Sequence, residues 1–516
     1  MIRFKPVLSR TLHYLLLLLI ALVFAATFYF SINPVVTEST EFDAACFHVI
    51  GSSILQGKMP YLDFIDNKGP VQYFIYAFTA LAFDFPWGIF IFSTVLLFVS
   101  LILLEEICKR LRIPHAFWIL PLYLFFYVCV CSSGGLTEDI SLPLTLGAFL
   151  VYLDFDDQLR QGKLRFSAGF VMGLLFWICC FTRINNALSI GLITASMGVQ
   201  LLLKKEFKKT AVLVGSFAAG TVLVVLPIVL WLYRHGAFQE FLNQFLLNNF
   251  KYGASDKALS KVDMFFHDPF GYSLFLLIIL GLLGTANFRL RCGKNNRSLI
   301  ITTIVVLLGT ALSFVSMTQT YPHYRLVLLV PAFFGFILQF SCLEELPKTN
   351  RKYRFFLLLT TVLCVFGMVF VFSGKMKAQD GLSYAKNVTV SILEGRVFQM
   401  TETEQEIDRL AANIPDDERD SVFSLEADPK FYAFTGIIPA KRMFVCQELF
   451  TDISDAYQKE FISYFSDDPP KWLVTEKPLE ELDICGTQGM LLANYRLVDE
   501  DSMFHLYERS ETNETH

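Results

Sequence analysis

The sequence predicts a polytopic α-helical membrane protein with about 11 transmembrane helices and a C-terminal mixed α/β domain. Of its 516 residues, 54 % are hydrophobic and only 18 % are charged, and the mean hydropathy is +0.48. The apolar residues come in runs of about twenty, the length that a helix needs to cross a hydrocarbon core of roughly 30 Å. A disordered chain and an ordinary soluble enzyme are excluded, because so few charges cannot cover a soluble surface.

The charges divide the chain into a basic apolar body and an acidic tail. From Gly374 onward, 14 Lys and Arg stand against 28 Asp and Glu, whereas the first 373 residues hold 29 basic and 20 acidic groups. We therefore expect a transmembrane domain over residues 1–373 and an extracytoplasmic α/β domain over residues 374–516. In the tail, runs rich in β-branched and aromatic residues predict strands, with helices between them. The strands are expected at 421–425, 471–475, 495–498 and 503–507, and the helices at 401–412 and 453–466.

The apolar runs of the body give the eleven spans and their direction. They lie near 12–32, 87–107, 116–132, 141–155, 166–182, 187–203, 210–233, 271–287, 298–316, 326–342 and 355–372. The first run follows basic residues, as in a signal peptide, but no cleavage site is evident and it is read as an uncleaved anchor. Alternate loops carry 21 Lys and Arg on one side and 8 on the other, the tail excluded. By the positive-inside rule the N-terminus is cytoplasmic, and the tail is outside the plasma membrane.

The middles of the runs contain no Asp, Glu, Lys or Arg. Ion-coupled transporters and proton pumps keep ionisable groups at that depth, so this absence argues against them. A passive lipid flippase stays open. On the cytoplasmic side, Asp154, Asp156 and Asp157 are spaced like a metal and nucleotide-sugar site, but the loop is short and basic, which favours a helix-end charge cluster.

The first outer loop, residues 33–86, contains two predicted interfacial helices. Residues 42–56 place apolar side chains on one face, as in a helix that lies in the membrane interface, and Asp43 is in its first turn, where the helix dipole favours a carboxylate. Gly57 is expected to end this helix, and Pro70 to begin a second one that runs to residue 83. Asp43 alone is explained equally well as a helix N-terminal acid.

Between these helices lies a stretch that contains Tyr61, Asp63, Asp66 and Lys68. Lys68 immediately precedes the second helix, next to backbone N–H groups of the kind that bind anions. Local sequence leaves two interpretations of Lys68 open, an anion ligand or a side chain that snorkels along the interface.

Other outer loops add polar groups to the same membrane face. Glu138 and Arg183 flank predicted spans, and a later loop contains His323, Tyr324 and Arg325. Each has an ordinary explanation alone, since a helix-start acid and interfacial Tyr and Arg anchors are common. Thr137 is a candidate helix cap beside Glu138. Together, carboxylates and cations from four separated loops converge on one face, which predicts a polar site there.

These outer-face residues resemble the GT-C superfamily of polyprenyl-phosphate-sugar-dependent glycosyltransferases. Relatives include the dolichyl-phosphate-mannose protein mannosyltransferases and the bacterial aminoarabinose transferase of lipid A. The resemblance covers the order of features along residues 1–373, and its specific part is the acid of the first helix followed by the segments 57–63 and 68–70. Segments 135–138, 183–185 and 322–324 occur at similar places in bacterial members. This chain has Lys-Gly-Pro where relatives have Lys-Pro-Pro or His-Pro-Pro.

The resemblance implies roles for these residues. Asp43 is the expected catalytic base, although some relatives place two acids together and Glu41 is close by. Lys68 is expected to contact the phosphate of the lipid donor, with Arg183 and Arg325 as the other available cations. The remaining candidates for substrate binding are Tyr61, Asp63, Asp66, Glu138, His323 and Tyr324.

The expected reaction moves a sugar from a polyprenyl phosphate, undecaprenyl-linked in a bacterium, to an extracytoplasmic acceptor that is a cell-wall polymer, a lipid or a protein. A single displacement inverts the anomeric configuration, with the carboxylate as general base. No cofactor, metal site or nucleic-acid partner is expected, although Asp63 or Asp66 could hold a divalent metal. Two alternatives stay open: a polysaccharide polymerase or ligase, and a passive flippase of lipid-linked sugars. The tail is expected to cover the site, to read the acceptor or to act as a spacer.

Overall fold

The computed structural model describes residues 4–35, 42–114, 116–131, 134–249, 269–292, 296–316, 321–341, 355, 358–359, 362–363, 365–367, 369–370, 373 and 381–510. Glu41 and eight of the eighteen residues of the eleventh predicted span, 355–372, lie outside these residues. The described part is mostly helical and includes one small sheet near the C-terminus. The main helices in chain order are α1 Phe4–Phe28, α2 Phe42–Leu55, α3 Pro70–Ala80, α4 Trp87–Arg110, α5 Ile119–Val130, α6 Thr137–Arg160, α7 Phe166–Cys180, α8 Leu188–Leu203, α9 Phe207–Arg234, α10 Phe238–Phe241, α11 Pro269–Cys292, α12 Arg297–Ser316, α13 Leu329–Ile337, α14 Gly381–Leu393, α15 Glu402–Ala411, α16 Lys430–Thr435, α17 Gln447–Ile453, α18 Asp455–Ser466 and α19 Gln488–Asn494.

Six helical stretches of the described residues are long and apolar enough to cross a bilayer. They are Arg10–Phe28, Trp87–Arg110, Ile184–Leu203, Phe207–Arg234, Arg297–Val315 and His323–Phe340. Helices α5 and α7 are apolar but shorter, with 12 and 15 residues. The prediction of a polytopic helical membrane protein is confirmed by this architecture, whereas the count of eleven and the orientation stay predictions.

The chain divides into two compact units, and each unit combines three separate segments of the sequence. The first contains Met1–Phe30, Phe90–Val229 and Ser255–Thr389, and the second contains Ser31–Ile89, Leu230–Ala254 and Val390–His516. The tail thus groups with the first outer loop and with a segment after α9. The assignment of separate domains to residues 1–373 and 374–516 is not tested by this grouping and stays a prediction.

In the first unit, small residues let α7 and α9 approach closely. A methyl group added at Gly173 would overlap the carbonyl oxygen of Phe217, and one added at Gly220 would overlap that of Phe170. Close backbone approach at Gly is a common way for apolar helices to associate where burial from water cannot drive them together. The two helices therefore pack through backbone contact rather than through large side chains.

In the second unit, the two helices of the first outer loop form close to where the sequence predicts them. Helix α2 is followed by Gly57, whose φ of +85° is readily adopted only by a residue without Cβ. Helix α3 has Pro70 in its first turn and ends at Ala80, short of the predicted residue 83. The helices pack at Gly51, where an added Cβ would lie 2.6 Å from the Ala77 nitrogen.

The sheet of the second unit confirms the four strands predicted in the tail. Its strands are β1 Val422–Leu425, β2 Trp472–Thr475, β3 Tyr495–Glu500 and β4 His505–Arg509. Their order is β1-β2-β4-β3, with β1 and β2 parallel and the other pairs antiparallel. The predicted helices are also present as α15, capped by Thr401, and α18, capped by Ser454.

The core of this sheet includes one residue from far upstream. Ile65, in the first outer loop, is buried with Phe423, Leu473 and Tyr507 from three of the strands. Cys446 and Cys485 also belong to the tail, and both are free thiols. The hydrophobic core of the second unit is therefore shared between the first outer loop and the C-terminal segment.

Candidate functional site

The stretch from Tyr61 to Lys68 is held by a network of hydrogen bonds. The buried Tyr61 hydroxyl donates to the Lys68 carbonyl over 2.8 Å, and the buried Tyr73 hydroxyl of α3 donates to Asp66 Oδ2 over 2.7 Å. The other oxygen of Asp66 accepts from the backbone N–H of Asn67 over 2.7 Å. Tyr61 has a positive φ of 70°, which is uncommon outside Gly and requires support from its surroundings. These bonds fix the backbone on which the Lys68 side chain is mounted.

The Lys68 ammonium lies against helix α2, on the same face as Asp43. It lies 5.5 Å from the centre of the Phe47 ring and donates to Asn67 Oδ1 over 3.1 Å. Asp43 is four residues before Phe47, and positions i and i+4 of a helix lie on one face, one turn apart. The predicted phosphate ligand thus lies against the ring of a residue that is one helical turn from the predicted base, and both predicted site residues are half-buried.

The electrostatic surroundings of Cys46 show the same convergence. Burial raises the pKa of the Cys46 thiol well above its usual value; the charges of Asp66 and Asp43 raise it further, and that of Lys68 lowers it. The charges of Asp66, Asp43 and Lys68 therefore all act on one buried thiol. The structure brings these predicted site residues together.

A segment to which the sequence assigns no specific role holds the loop from its other side. After α10 the chain continues as a π-helix, Leu242–Asn248. The fully buried Gln244 donates to the Tyr61 carbonyl over 2.8 Å and accepts from the Asp66 backbone N–H over 3.2 Å. Asn249 donates to the Asn67 carbonyl over 2.8 Å. The π-helix is a rare form that occurs often at functional sites, and here it presents two amide side chains to one loop.

The C-terminal segment supplies a further support. The Ile65 backbone N–H donates to the Arg442 carbonyl over 2.9 Å, and the rings of Phe64 and Phe444 meet edge to face with centroids 5.6 Å apart. Burial raises the pKa of the nearby Cys446 thiol to about 12, Glu426, Asp43 and Asp66 raise it as well, and Lys68 lowers it. The tail therefore lies beside the predicted catalytic loop, a placement that no local pattern indicates.

Asp63 has a local structural contact. Its Oδ2 accepts from the backbone N–H of Met59 over 2.6 Å, closing a turn of the loop. Among the described residues, no group of three or more His, Cys, Asp and Glu side chains is arranged to hold a metal ion. Asp66 is likewise engaged by Tyr73, so each of these two carboxylates contributes to the shape of the loop.

A second group of predicted residues lies in the first unit. Arg183 donates to Glu138 Oε1 over 2.8 Å, and its guanidinium carbon lies 3.6 Å from the centre of the Tyr324 ring. Glu138 is almost fully buried, with 1 % of its side chain exposed. The Tyr324 ring meets that of His323 edge to face at 4.7 Å, and Arg325 is buried beside them in sequence, in the 3₁₀ helix Pro322–Leu328. The structure thus joins Glu138, Arg183 and Tyr324 in one cluster.

Helix α6 begins one residue earlier than the Thr137 cap predicts. Leu136 is the N-cap residue, and its backbone N–H donates a hydrogen bond to Asp139 Oδ2 over 3.0 Å. The Thr137 hydroxyl instead donates to Glu138 Oε2 over 2.9 Å. The expected cap is therefore wrong, because the carboxylate of Asp139 reaches the helix start better than the Thr137 hydroxyl.

The helices and the polar clusters define a polytopic membrane protein with a charged site.

No protein-family model matches the sequence, and no curated protein matches it. Solved structures do match in fold. The aminoarabinose transferase ArnT from Cupriavidus metallidurans, bound to undecaprenyl phosphate, gives a TM-score of 0.57 at 11 % identity over 98 % of each chain. Its apo form gives 0.54 at 12 % identity, over 97 % of this chain and 98 % of that one.

An archaeal oligosaccharyltransferase, AglB from Archaeoglobus fulgidus in complex with an inhibitory peptide and a dolichol-phosphate, is more distant. It gives a TM-score of 0.49 at 11 % identity, over 98 % of this chain and 75 % of that one, a score too low to establish a common fold. Over nearly its whole length the chain shares the fold of ArnT, which is a GT-C superfamily member, in line with the resemblance that the sequence shows.

Proposed function

We propose that this protein is an integral membrane glycosyltransferase that moves a sugar from a polyprenyl-phosphate donor to an extracytoplasmic acceptor. The observation that carries the proposal is the contact of the Lys68 ammonium with the Phe47 ring of α2, the helix whose first turn contains Asp43, on a loop braced by Tyr61, Asp66 and Gln244. The fold is that of ArnT, which is solved with undecaprenyl phosphate bound, and a lipid-phosphate donor for this chain is consistent with that likeness.

The proposed reaction is a single displacement. The hydroxyl oxygen of the acceptor attacks the anomeric carbon, the bond from that carbon to the phosphate oxygen breaks, and the phosphate leaves with the electron pair. Asp43 takes the proton of the attacking hydroxyl. The phosphate gains negative charge as it departs, and Lys68 stabilises that charge. Arg183 and Arg325 are the other cations that the sequence resemblance assigns to the donor phosphate. The configuration at the anomeric carbon is inverted.

Loop rigidity supports the assignment of Lys68 to the phosphate. A side chain that only snorkels needs no fixed backbone, whereas a phosphate ligand must stay in place while charge develops. The Lys68 carbonyl accepts from Tyr61, and the preceding residues are held by Gln244 and Asn249. This bracing favours a phosphate-binding role.

The proposed orientation places this chemistry outside the cell. Eleven spans with a cytoplasmic N-terminus put the first outer loop and the tail on the outer face of the plasma membrane, in agreement with the excess of basic residues in the opposite loops. The lipid donor would then lie in the outer leaflet. The acceptor would be a cell-wall polymer, a lipid or a protein.

The alternatives predict different outcomes in one assay. Purified protein in lipid nanodiscs is mixed with a radiolabelled polyprenyl-phosphate sugar and with extracts of cell-envelope glycans, lipids or proteins. A transferase releases free polyprenyl phosphate and labels one acceptor fraction. A passive flippase moves the labelled lipid across vesicles and leaves it intact. A polymerase or ligase transfers an oligosaccharide rather than the single sugar of the donor. Intact donor in every fraction would contradict the proposal.

A further inference from the structure

A cavity of about 240 Å³ lies within the second unit, between the first outer loop and the C-terminal segment. That volume is far above the ~10–15 Å³ that one water needs and below the ~300–1,000 Å³ of pockets for drug-sized ligands. It can therefore hold a single small polar group and not a lipid chain. Its lining is Lys58, Leu62, Asp63, Phe64, Pro439, Ala440, Lys441, Arg442, Glu460 and Tyr464.

Positive charge dominates the accessible part of this lining. Three cations face two carboxylates, although the segment from Gly374 onward has twice as many acidic as basic residues. The Glu460 carboxylate is already fully engaged, since both of its oxygens accept from Arg442, at 2.6 and 2.7 Å, and one accepts from the Tyr464 hydroxyl at 2.6 Å. Glu460 therefore has little capacity left to neutralise the other cations.

The cations retain capacity for a ligand. The Lys58 ammonium is exposed and has no ion pair among the described residues. Lys441 is paired with Asp468 over 2.6 Å, but that carboxylate is 89 % exposed, so water competes with the pair and it holds the charge only weakly. Arg442 uses its Nε and one terminal nitrogen for Glu460, and its other terminal nitrogen has no hydrogen-bond acceptor in the described chain.

The remaining groups suit a sugar that carries the anion. One carboxylate oxygen of Asp63 accepts a hydrogen bond from the Met59 backbone N–H, and the other oxygen can accept from hydroxyl groups of a ligand. The Tyr464 side chain contributes aromatic surface to the same lining. An anionic group is thus matched by the cations, a hydroxyl by Asp63 and an apolar sugar face by the Tyr464 ring.

We propose that this cavity binds an anionic sugar unit, bearing a phosphate or a carboxylate, of the acceptor. The proposal rests on the glycosyltransferase function, because it assigns the ligand to the acceptor. Leu62, Asp63 and Phe64 belong to the loop that ends at Lys68, so a ligand in the cavity contacts the same loop that presents the donor-phosphate cation. The cavity is a binding site separate from the residues assigned to the donor.

The test uses the full-length protein in nanodiscs with Lys68→Ala, which removes one of the three cations assigned to the donor phosphate; anions bound at Arg183 or Arg325 are recognised because Lys58→Ala leaves their binding unchanged. Saturation-transfer NMR measures binding of glucose 6-phosphate, glucuronate and uncharged glucose. The anionic sugars are expected to bind at least tenfold more tightly than glucose, and their order shows whether a phosphate or a carboxylate is preferred. Adding Lys58→Ala is expected to weaken both anionic sugars about tenfold. Equal binding of glucose and the anionic sugars would overturn the proposal.

A matched control distinguishes the loss of a cation that lines the cavity from a general decrease in positive charge. Lys459→Ala removes an exposed lysine of the same segment that does not line the cavity, and it is expected to leave binding unchanged. If Lys459→Ala weakens binding as much as Lys58→Ala, the effect is non-specific and the proposal fails. Because binding is measured without turnover, a protein that binds the sugars but transfers none would contradict the proposed function and leave the cavity assignment standing.

Discussion

The ammonium group of Lys68 lies 5.5 Å from the centre of the Phe47 ring, on the face of α2 that also carries Asp43. The aromatic ring attracts the ammonium group and favours its charged form. Phe47 and Asp43 are four residues apart on this helix, so the ring that contacts the cation and the carboxylate lie one helical turn apart on the same face.

Asp43→Asn is expected to abolish sugar transfer while expression and donor binding are kept. The substitution preserves size and helix placement but removes the proton acceptor, and loss of a general base typically costs about 10²–10⁴ in rate. Single-turnover assays with purified protein and labelled donor measure this. Glu41→Gln is the matched control and should have a much smaller effect; transfer by Asp43→Asn at near wild-type rate would refute the base assignment.

Lys68→Ala is expected to weaken donor binding strongly without unfolding the protein. Removal of a charge-assisted contact typically costs on the order of 2–3 kcal/mol, which is roughly 30- to 150-fold in affinity. Gln244→Ala should produce a smaller loss of the same kind, because it frees the Tyr61 carbonyl and the Asp66 N–H and so loosens the loop. Titration with polyprenyl phosphate measures both, and normal affinity in Lys68→Ala would leave only the snorkelling role.

Glu138→Gln is expected to lower the melting temperature, and Glu138→Gln with Arg183→Met to recover part of the loss. Removing one partner of a buried ion pair leaves the other charge uncompensated, at a typical cost of about 3–5 kcal/mol, whereas replacing both removes that penalty. Thermal unfolding in detergent measures the stability. Sugar transfer should stay impaired in the double variant because Arg183 is assigned to the donor phosphate, so recovery of both properties would argue for a purely structural pair.

Acidification is expected to destabilise the second unit through His48. Burial lowers the pKa of His48 to about 4, below the ordinary value of 6.5. Between those values the unfolded chain binds the proton and the folded chain does not, so stability is complete above pH 6.5 and falls as the pH drops toward 4. Melting curves from pH 7.5 to 4.5 should show a steeper loss for wild type than for His48→Gln; parallel curves would contradict this.

Two single cysteines are expected to be labelled from opposite sides of the membrane, because the proposed orientation places one in a cytoplasmic loop and the other in the extracytoplasmic tail. In a background without native cysteines, Lys163→Cys lies in an exposed turn between α6 and α7, and Gln458→Cys lies on the exposed face of α18. A membrane-impermeant maleimide added to whole cells should modify the second and not the first. Modification of both from outside would refute the eleven-span topology.

Local features of the structure were predictable because local physics determines them. Gly57 follows the end of α2 and Pro70 begins α3, and each of these effects depends on a few neighbouring residues. Gln244 was not predictable as a loop support, since an amide in an apolar interfacial segment has no pattern that indicates its partner. Its contact with Tyr61 spans 183 positions of the chain and depends on tertiary packing.

The placement of the tail beside the first outer loop was missed for the same reason. Ile65 is an apolar residue next to Asp66, in a loop between two predicted interfacial helices, and nothing nearby in the sequence indicates that it completes the core of a distant sheet. Charge composition distinguishes the acidic tail from the basic body. It could not indicate which part of the body the tail would join.

The shared core that contains Ile65 has a consequence for biosynthesis. The backbone of Ile65 bonds to Arg442 and its side chain packs with Tyr507, residues that are synthesised long after the first outer loop. Contacts that close over such long separations form late, because the loop entropy is spent before the contacts can repay it. The segment around Ile65 would therefore reach its folded arrangement only after strand β4 has left the ribosome.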